Sequence, residues 1–170
     1  YARLEMAHPQ APIENECVRV VLLLDAAYDR DAWEEVEQYV AAVVSCESRR
    51  KIVGQSRVDN PHSEWVAEAK RYREVLAPVR YRHEVVAVRG ERLALTSLSV
   101  GPTDQSPGAP RDELLQLYGL DEDGRIALQV WFDVEDIDAA FAELDSRYLA
   151  GEAAPHARTW SVVVKAFALM

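Results

Sequence analysis

From Glu14 to Tyr28 the apolar residues Val18, Val20, Val21, Leu22, Leu24 and Ala27 recur at a helical rhythm, which predicts a first helix with one buried stripe. Asp29 to Asp31 breaks the run. Asp31 is placed to cap a second, shorter helix carrying Trp33, Val36, Glu37 and Val40, because a carboxylate there accepts from the unpaired amides of the first turn. Ala41 to Glu47 reads as a strand, ended by Arg49-Arg50-Lys51 and followed by a turn at Gly54. Asn60-Pro61 predicts the start of a third helix, with Trp65, Ala69, Tyr72 and Leu76 on one stripe and Pro78 at its end.

After Pro78 the period changes from helical to two. Val79–Val88, Arg92–Val100, Glu113–Asp121 and Gly124–Asp133 are expected to form long antiparallel strands. Arg89-Gly90-Glu91 and Asp121–Gly124 supply tight connections, and Gly101–Pro110 is a loop insertion. Val134–Leu149 returns to helix, with Ile137, Phe141, Leu144 and Tyr148 on one stripe and a stop at Gly151. The expected fold class is α+β: a curved antiparallel sheet that wraps the N-terminal helices as a cone and leaves a cavity at its wide end.

A length of 170 residues suits one domain, and 49% hydrophobic with 28% charged residues is ordinary for a globular chain. The formal net charge of −10 repels phosphate backbones, so no nucleic-acid partner is expected. No apolar run reaches the roughly 20 residues of a membrane helix, and no leader peptide is visible, so no membrane partner is expected either. Cys17 and Cys46 lack metal spacing and read as free thiols in a reducing cytoplasm. No phosphate loop, paired-histidine zinc motif or nucleophile elbow occurs, so no cofactor and no metal are expected.

Tyr148-Leu-Ala-Gly-Glu-Ala-Ala-Pro-His-Ala157 is echoed by Tyr1-Ala-Arg-Leu-Glu-Met-Ala-His-Pro-Gln10, with Tyr1, Glu5 and Ala7 falling on Tyr148, Glu152 and Ala154. A junction repeated before two apolar runs, together with Tyr1 as the opening residue, suggests one module of a tandem array. The boundaries expected are a connector over 1–13, a domain over 14–149, and over 150–170 a connector with the start of a second repeat.

This order of elements, with Arg89-Gly-Glu-Arg-Leu-Ala-Leu95, Gly124-Arg-Ile126, Trp131-Phe-Asp133 and Asp138-Ala-Ala-Phe-Ala-Glu-Leu144, resembles the SnoaL-like branch of the NTF2-like (cystatin-like) superfamily over residues 14–149. The run from Phe141 to Trp160 is similar to a junction in large bacterial proteins that carry such repeats beside adenylate-cyclase, ATPase or transcriptional-activator domains. The superfamily includes isomerases, epoxide hydrolases, polyketide cyclases and non-catalytic members, so the fold alone decides little. The resemblance to the limonene epoxide hydrolase branch implies an acid at the position held here by Val130, and an Arg and an Asp in the stretch Thr96–Val100, which has neither. The pocket acid of SnoaL-type cyclases is not evident. Steroid-isomerase chemistry needs a carboxylate and an oxyanion donor on one face, and no such pair stands out.

The resemblance places Val79, Tyr81, His83, Val85, Leu93, Leu95, Ser97, Leu115, Leu117, Ile126, Leu128, Val130 and Phe132 on the concave face. The candidate ligand cavity is therefore Tyr81, His83, Ser97, Leu117, Val130 and Phe132, with Glu47 at its mouth as the best available carboxylate. The alternate set, Val86, Val88, Leu98, Val100, Tyr118, Leu120, Gln129 and Trp131, is then an apolar convex patch. Leu98, Tyr118 and Trp131 are its candidate interface with another copy or a neighbouring repeat, or are buried beneath the Gly101–Pro110 loop or the chain ends. Asp133 is expected to cap the last helix. His83, with Ser97 and Tyr81 as polar neighbours, is a candidate general base, but a lone histidine facing a core is more often structural, so no catalytic residue is assigned. The expected function is a non-catalytic accessory module of a cytoplasmic regulatory protein, which self-associates and holds a small apolar ligand. A SnoaL-like or isomerase-type enzyme and a structural spacer are the alternatives.

Overall fold

In a computed structural model that describes residues 13–76, 79–102 and 111–156, Asn15 starts helix α1 (Glu16–Asp29) by accepting from the Val18 amide at 2.9 Å. Its side-chain amide also donates to the carbonyls of Gly90 and Leu93, at 2.9 and 3.0 Å, which ties α1 to a distant turn. Helix α2 (Trp33–Gln38) has Ala32 at its cap position. Asp31, expected there, instead adopts φ 56 and accepts from Arg73. A short polar side chain tolerates that left-handed turn.

Strand β1 (Val40–Ser48) pairs antiparallel with β2 (Ser56–Pro61) across a turn in which Gly54 has φ 78. Strand β2 is an edge strand, exposed at every position but Asn60, so no alternation marks it in the sequence. Asn60-Pro61 closes this strand rather than opening helix α3 (His62–Leu76). An edge strand tolerates a proline because one side of it needs no partner.

The long strands β3 (Val79–Arg89), β4 (Leu93–Pro102), β5 (Asp112–Leu120) and β6 (Ile126–Asp133) pair antiparallel in succession, as the period-two pattern predicts. Strand β4 continues through Gly101 and Pro102, and the rest of the expected loop, 103–110, lies outside the described residues. Strand β1 joins β6 in parallel, giving the order β2-β1-β6-β5-β4-β3 in one curved sheet. Helix α4 (Ile137–Ala150) follows β6. Asp133 does not cap it; the carboxylate accepts from the Lys51 amide and from Arg50.

The β3–β4 turn is clamped from both sides. Gly90 has φ 54, and the Glu152 carboxylate accepts from the Glu91 and Arg92 amides, both at 3.0 Å. A side chain at Gly90 would start 2.3 Å from that carboxylate and push it from its place, and the positive φ itself favours glycine. Contacts of the domain therefore run past residue 149, and Glu152 of the repeated junction has a structural task. The other copy of the junction, Tyr1–Gln10, and the apolar run after His156 lie outside the described residues, as does Pro78.

Two apolar layers sit on opposite faces of the sheet. Cys17, Val21 and Leu24 of α1 meet Val44, Ala94, Tyr118 and Ile126. On the other face Ala140 and Leu144 of α4 cover Leu95, Leu115, Leu117, Val130 and Phe132. This corrects the assignment of faces. Directly opposed residues share a face, and His83 opposes Leu98 while Tyr81 opposes Val100. A bulge in β3 shifts the register between Val85 and Ala87, so Ala87 opposes Leu95 on the α4 side. One extra residue moves the inner and outer sets of β4 and β5, and of β6 from Leu128 on, to the faces opposite those expected, while Ile126, before a second register shift, stays on the α1 side. Among the described residues no helix is long and apolar enough to cross a membrane.

Candidate functional site

A cavity of about 610 Å³ opens between the sheet, α1, α3 and the β1–β2 hairpin. Helix α1 contributes Asp25 and Tyr28, and α3 contributes Trp65, Glu68 and Tyr72. The strands contribute Cys46, Ser48, Tyr81, His83, Leu98, Gln116, Tyr118, Gln129 and Trp131, with Arg50 beyond the end of β1. Its size and mixed lining are those of a small-molecule site.

Of the expected cavity residues, Tyr81 and His83 line it. Leu117, Val130 and Phe132 do not; they are buried beneath α4. Ser97 opposes Leu115 and lies on that same face. Leu98, Tyr118 and Trp131, expected as a convex interface, are cavity wall. The apolar patch read from the sequence is the inside of the cone, and α4 supplies the cover that makes the opposite face equally apolar.

Glu47 is also displaced. Alternation along β1 sends Cys46 and Ser48 into the cavity and Glu47 to the α4 side, where it is 8% exposed. There its carboxylate accepts from Arg147 at 2.8 Å and from Arg49 at 3.4 Å. Arg49 and Arg147 also hold Glu143, at 2.8 and 2.7 Å. Burial pushes the Glu143 carboxyl up, but the bonds from Arg147 and Arg49 outweigh it and leave the group below the ordinary glutamate range. This cluster fastens α4 to β1 and has no access to the cavity.

His83 has two partners. Its Nδ1 lies 2.6 Å from the Asp25 carboxylate and its Nε2 lies 3.1 Å from the Tyr118 hydroxyl. The imidazole is 5% exposed and Asp25 28%, so the carboxylate reaches solvent while the ring is held inside. Tyr118 is 3% exposed, and burial pushes its hydroxyl well above the ordinary tyrosine range, with the Asp25 charge adding to this. Nearby on the cavity wall the Gln129 carbonyl oxygen accepts from Trp65 Nε1 at 3.0 Å.

The contacts of Tyr118, His83 and Asp25 have a fixed direction. An ionised carboxylate only accepts, so the His83 proton sits on Nδ1 and the Nε2 lone pair faces the Tyr118 hydroxyl, which donates to it. If Nε2 gains a proton it becomes a donor, and the Tyr118 proton is released from it. The site thus holds an imidazole with a lone pair able to accept a proton, a hydroxyl that stays protonated, and a carboxylate that orients the ring.

Sequence reasoning missed Asp25, Gln129 and Trp65 as site residues and gave Tyr118 the wrong face. One signal was present. Asp25 follows Val21 by four residues and precedes Tyr28 by three, which puts a carboxylate on the stripe that α1 buries. Among the described residues no group of three or more His, Cys, Asp or Glu side chains is placed to hold a metal ion.

No family model matches the sequence, and no curated protein matches it. In shape the chain is similar to an LEH-like epoxide hydrolase from Mycobacterium tuberculosis, at 18% identity over 86% of this chain and 96% of that one, with TM-score 0.51. It is similar to another M. tuberculosis protein, solved in complex with estradiol-17β-hemisuccinate, at 12% identity over 69% and 93% of the two chains, with TM-score 0.54. A cystatin-fold protein from Novosphingobium aromaticivorans matches at 13% identity over 69% and 97%, with TM-score 0.52. At these identities the likeness is one of fold: the chain has the NTF2-like, cystatin-type fold.

Proposed function

We propose that the protein is an enzyme of proton transfer, acting at a carbon next to a carbonyl in an apolar substrate held in the cavity. The observation that carries this reading is His83 bridging Asp25 at 2.6 Å and Tyr118 at 3.1 Å on the cavity wall. A bound carbonyl oxygen takes the Tyr118 hydroxyl hydrogen bond away from Nε2. The freed lone pair of Nε2 removes a proton from the adjacent carbon, and the C–H electron pair moves onto oxygen as an enolate. Tyr118 donates to that oxygen where charge develops, and Asp25 stabilises the imidazolium. The imidazolium then returns the proton to a second carbon, which shifts a double bond, or to a departing hydroxyl, which eliminates water.

This is the isomerase-type alternative from the sequence. The accessory module rested on the repeated junction, the missing acids and the two-sided apolar sheet; of these, the place of Leu98, Tyr118 and Trp131 in the cavity wall moves the third to the support of ligand binding. A spacer has no use for a cavity of about 610 Å³.

The test is exchange of the activated C–H of 2-tetralone in deuterium oxide, followed by NMR with and without protein. The expected result is protein-dependent exchange that His83→Ala reduces by about 10²- to 10⁴-fold. No acceleration by the parent protein, or equal acceleration by His83→Ala, contradicts the proposal.

A further inference from the structure

The charged groups of the cavity lining carry information about the ligand that the proton-transfer reading does not use. Among the described residues four such side chains other than His83 line it: Asp25, Glu68, Asp112 and Arg50. Arg50 is the single guanidinium, and it is already engaged. Its Nε donates to Asp133 at 3.1 Å, and its Nη1 and Nη2 donate to the two oxygens of Asp112 at 2.9 and 3.0 Å. Each of its three nitrogens thus faces a carboxylate, and two carboxylates share one positive charge. His83, when it gains a proton, is matched by Asp25 at 2.6 Å.

Among the described residues an anionic ligand therefore meets three carboxylates and no free cation. Burying a carboxylate there removes its water without supplying a charged donor, which costs far more than burying a neutral ester of the same shape. The remaining wall is aromatic and aliphatic, with the rings of Trp65, Tyr72 and Trp131 available to a flat skeleton. We infer that the cavity selects an uncharged ring compound and discriminates against the same skeleton carrying a carboxylate, with the Arg50–Asp112 pair as a specificity determinant. The inference rests on the cavity being the ligand site, as the proposed reaction does, but not on turnover.

The experiment measures equilibrium binding of methyl 2-naphthoate and of 2-naphthoate by calorimetry at neutral pH, for the parent protein and for Asp112→Asn. Asp112 is 57% exposed, so the substitution leaves the core intact. The parent is expected to bind the ester at least about tenfold more tightly than the acid. Asp112→Asn removes one of the two carboxylates and leaves Nη1 and Nη2 of Arg50 facing no negative charge, and it is expected to bind the acid about fivefold more tightly than the parent does, with the ester within about twofold. An acid that binds the parent as well as its ester does, an acid affinity unchanged in Asp112→Asn, or no binding of the ester at millimolar concentration overturns the inference. A protein that prefers the ester yet exchanges no 2-tetralone proton keeps this selectivity and loses the proposed reaction.

Discussion

The two faces of the sheet are built from alternate residues of the same strands and do opposite work. On the α4 face Leu95, Leu117, Val130 and Phe132 are almost fully buried against Ala140 and Leu144, and the polar groups at its edge are matched in ion pairs. On the cavity face Leu98, Gln116, Tyr118, Gln129 and Trp131 leave space, and Tyr118, His83 and Asp25 are arranged in a directed chain. A closed layer holds the fold and an open one leaves polar side chains facing a cavity. Neighbouring positions in one strand, such as Trp131 and Phe132, thus divide between cavity wall and packed core.

The sharpest break of this comparison is truncation on each face. Phe132→Ala empties a packed site and is expected to lower stability by about 3–5 kcal/mol in urea unfolding. Leu98→Ala, on the wall of an existing cavity, makes no sealed void and is expected to cost only about 1–2 kcal/mol. Equal losses would mean that the cavity face is as closely packed as the other.

A smaller effect concerns pH. The Glu143 carboxyl is held below its ordinary value of 4.5 in the folded protein, because its bonds to Arg147 and Arg49 outweigh burial. A depressed carboxyl contributes stability that is present above the unfolded value and lost as pH falls through the folded one. Stability is therefore expected to decline as pH falls below 4.5, and Glu143→Gln to decline less steeply. Identical acid profiles for parent and variant would remove the ion cluster from the forces that fasten α4.

The helices and the four long strands were legible because their periods are strong: the stripe of α1 and the alternation after Pro78 need no tertiary knowledge. Strand β2 was not legible, since an exposed edge strand has no buried side to write a pattern. The faces were not legible either. Both sides of β4 to β6 are apolar, and the bulge near Val86 that decides which side His83 shares leaves no mark in the sequence. His83 was therefore found without its partners. Asp25 comes from another element 58 residues away, and Tyr118 joins it only once the register is known.

The most direct measurement is the tautomer of the neutral His83 ring, read by ¹⁵N-resolved NMR of the imidazole in the parent protein and in Tyr118→Phe. The predicted result is a neutral ring protonated on Nδ1, with an Nε2 signal that moves when the Tyr118 hydroxyl is removed and an Nδ1 proton that persists on Asp25. A ring protonated on Nε2, or an Nε2 signal indifferent to Tyr118→Phe, contradicts the chain from Tyr118 to Asp25 and the chemistry built on it.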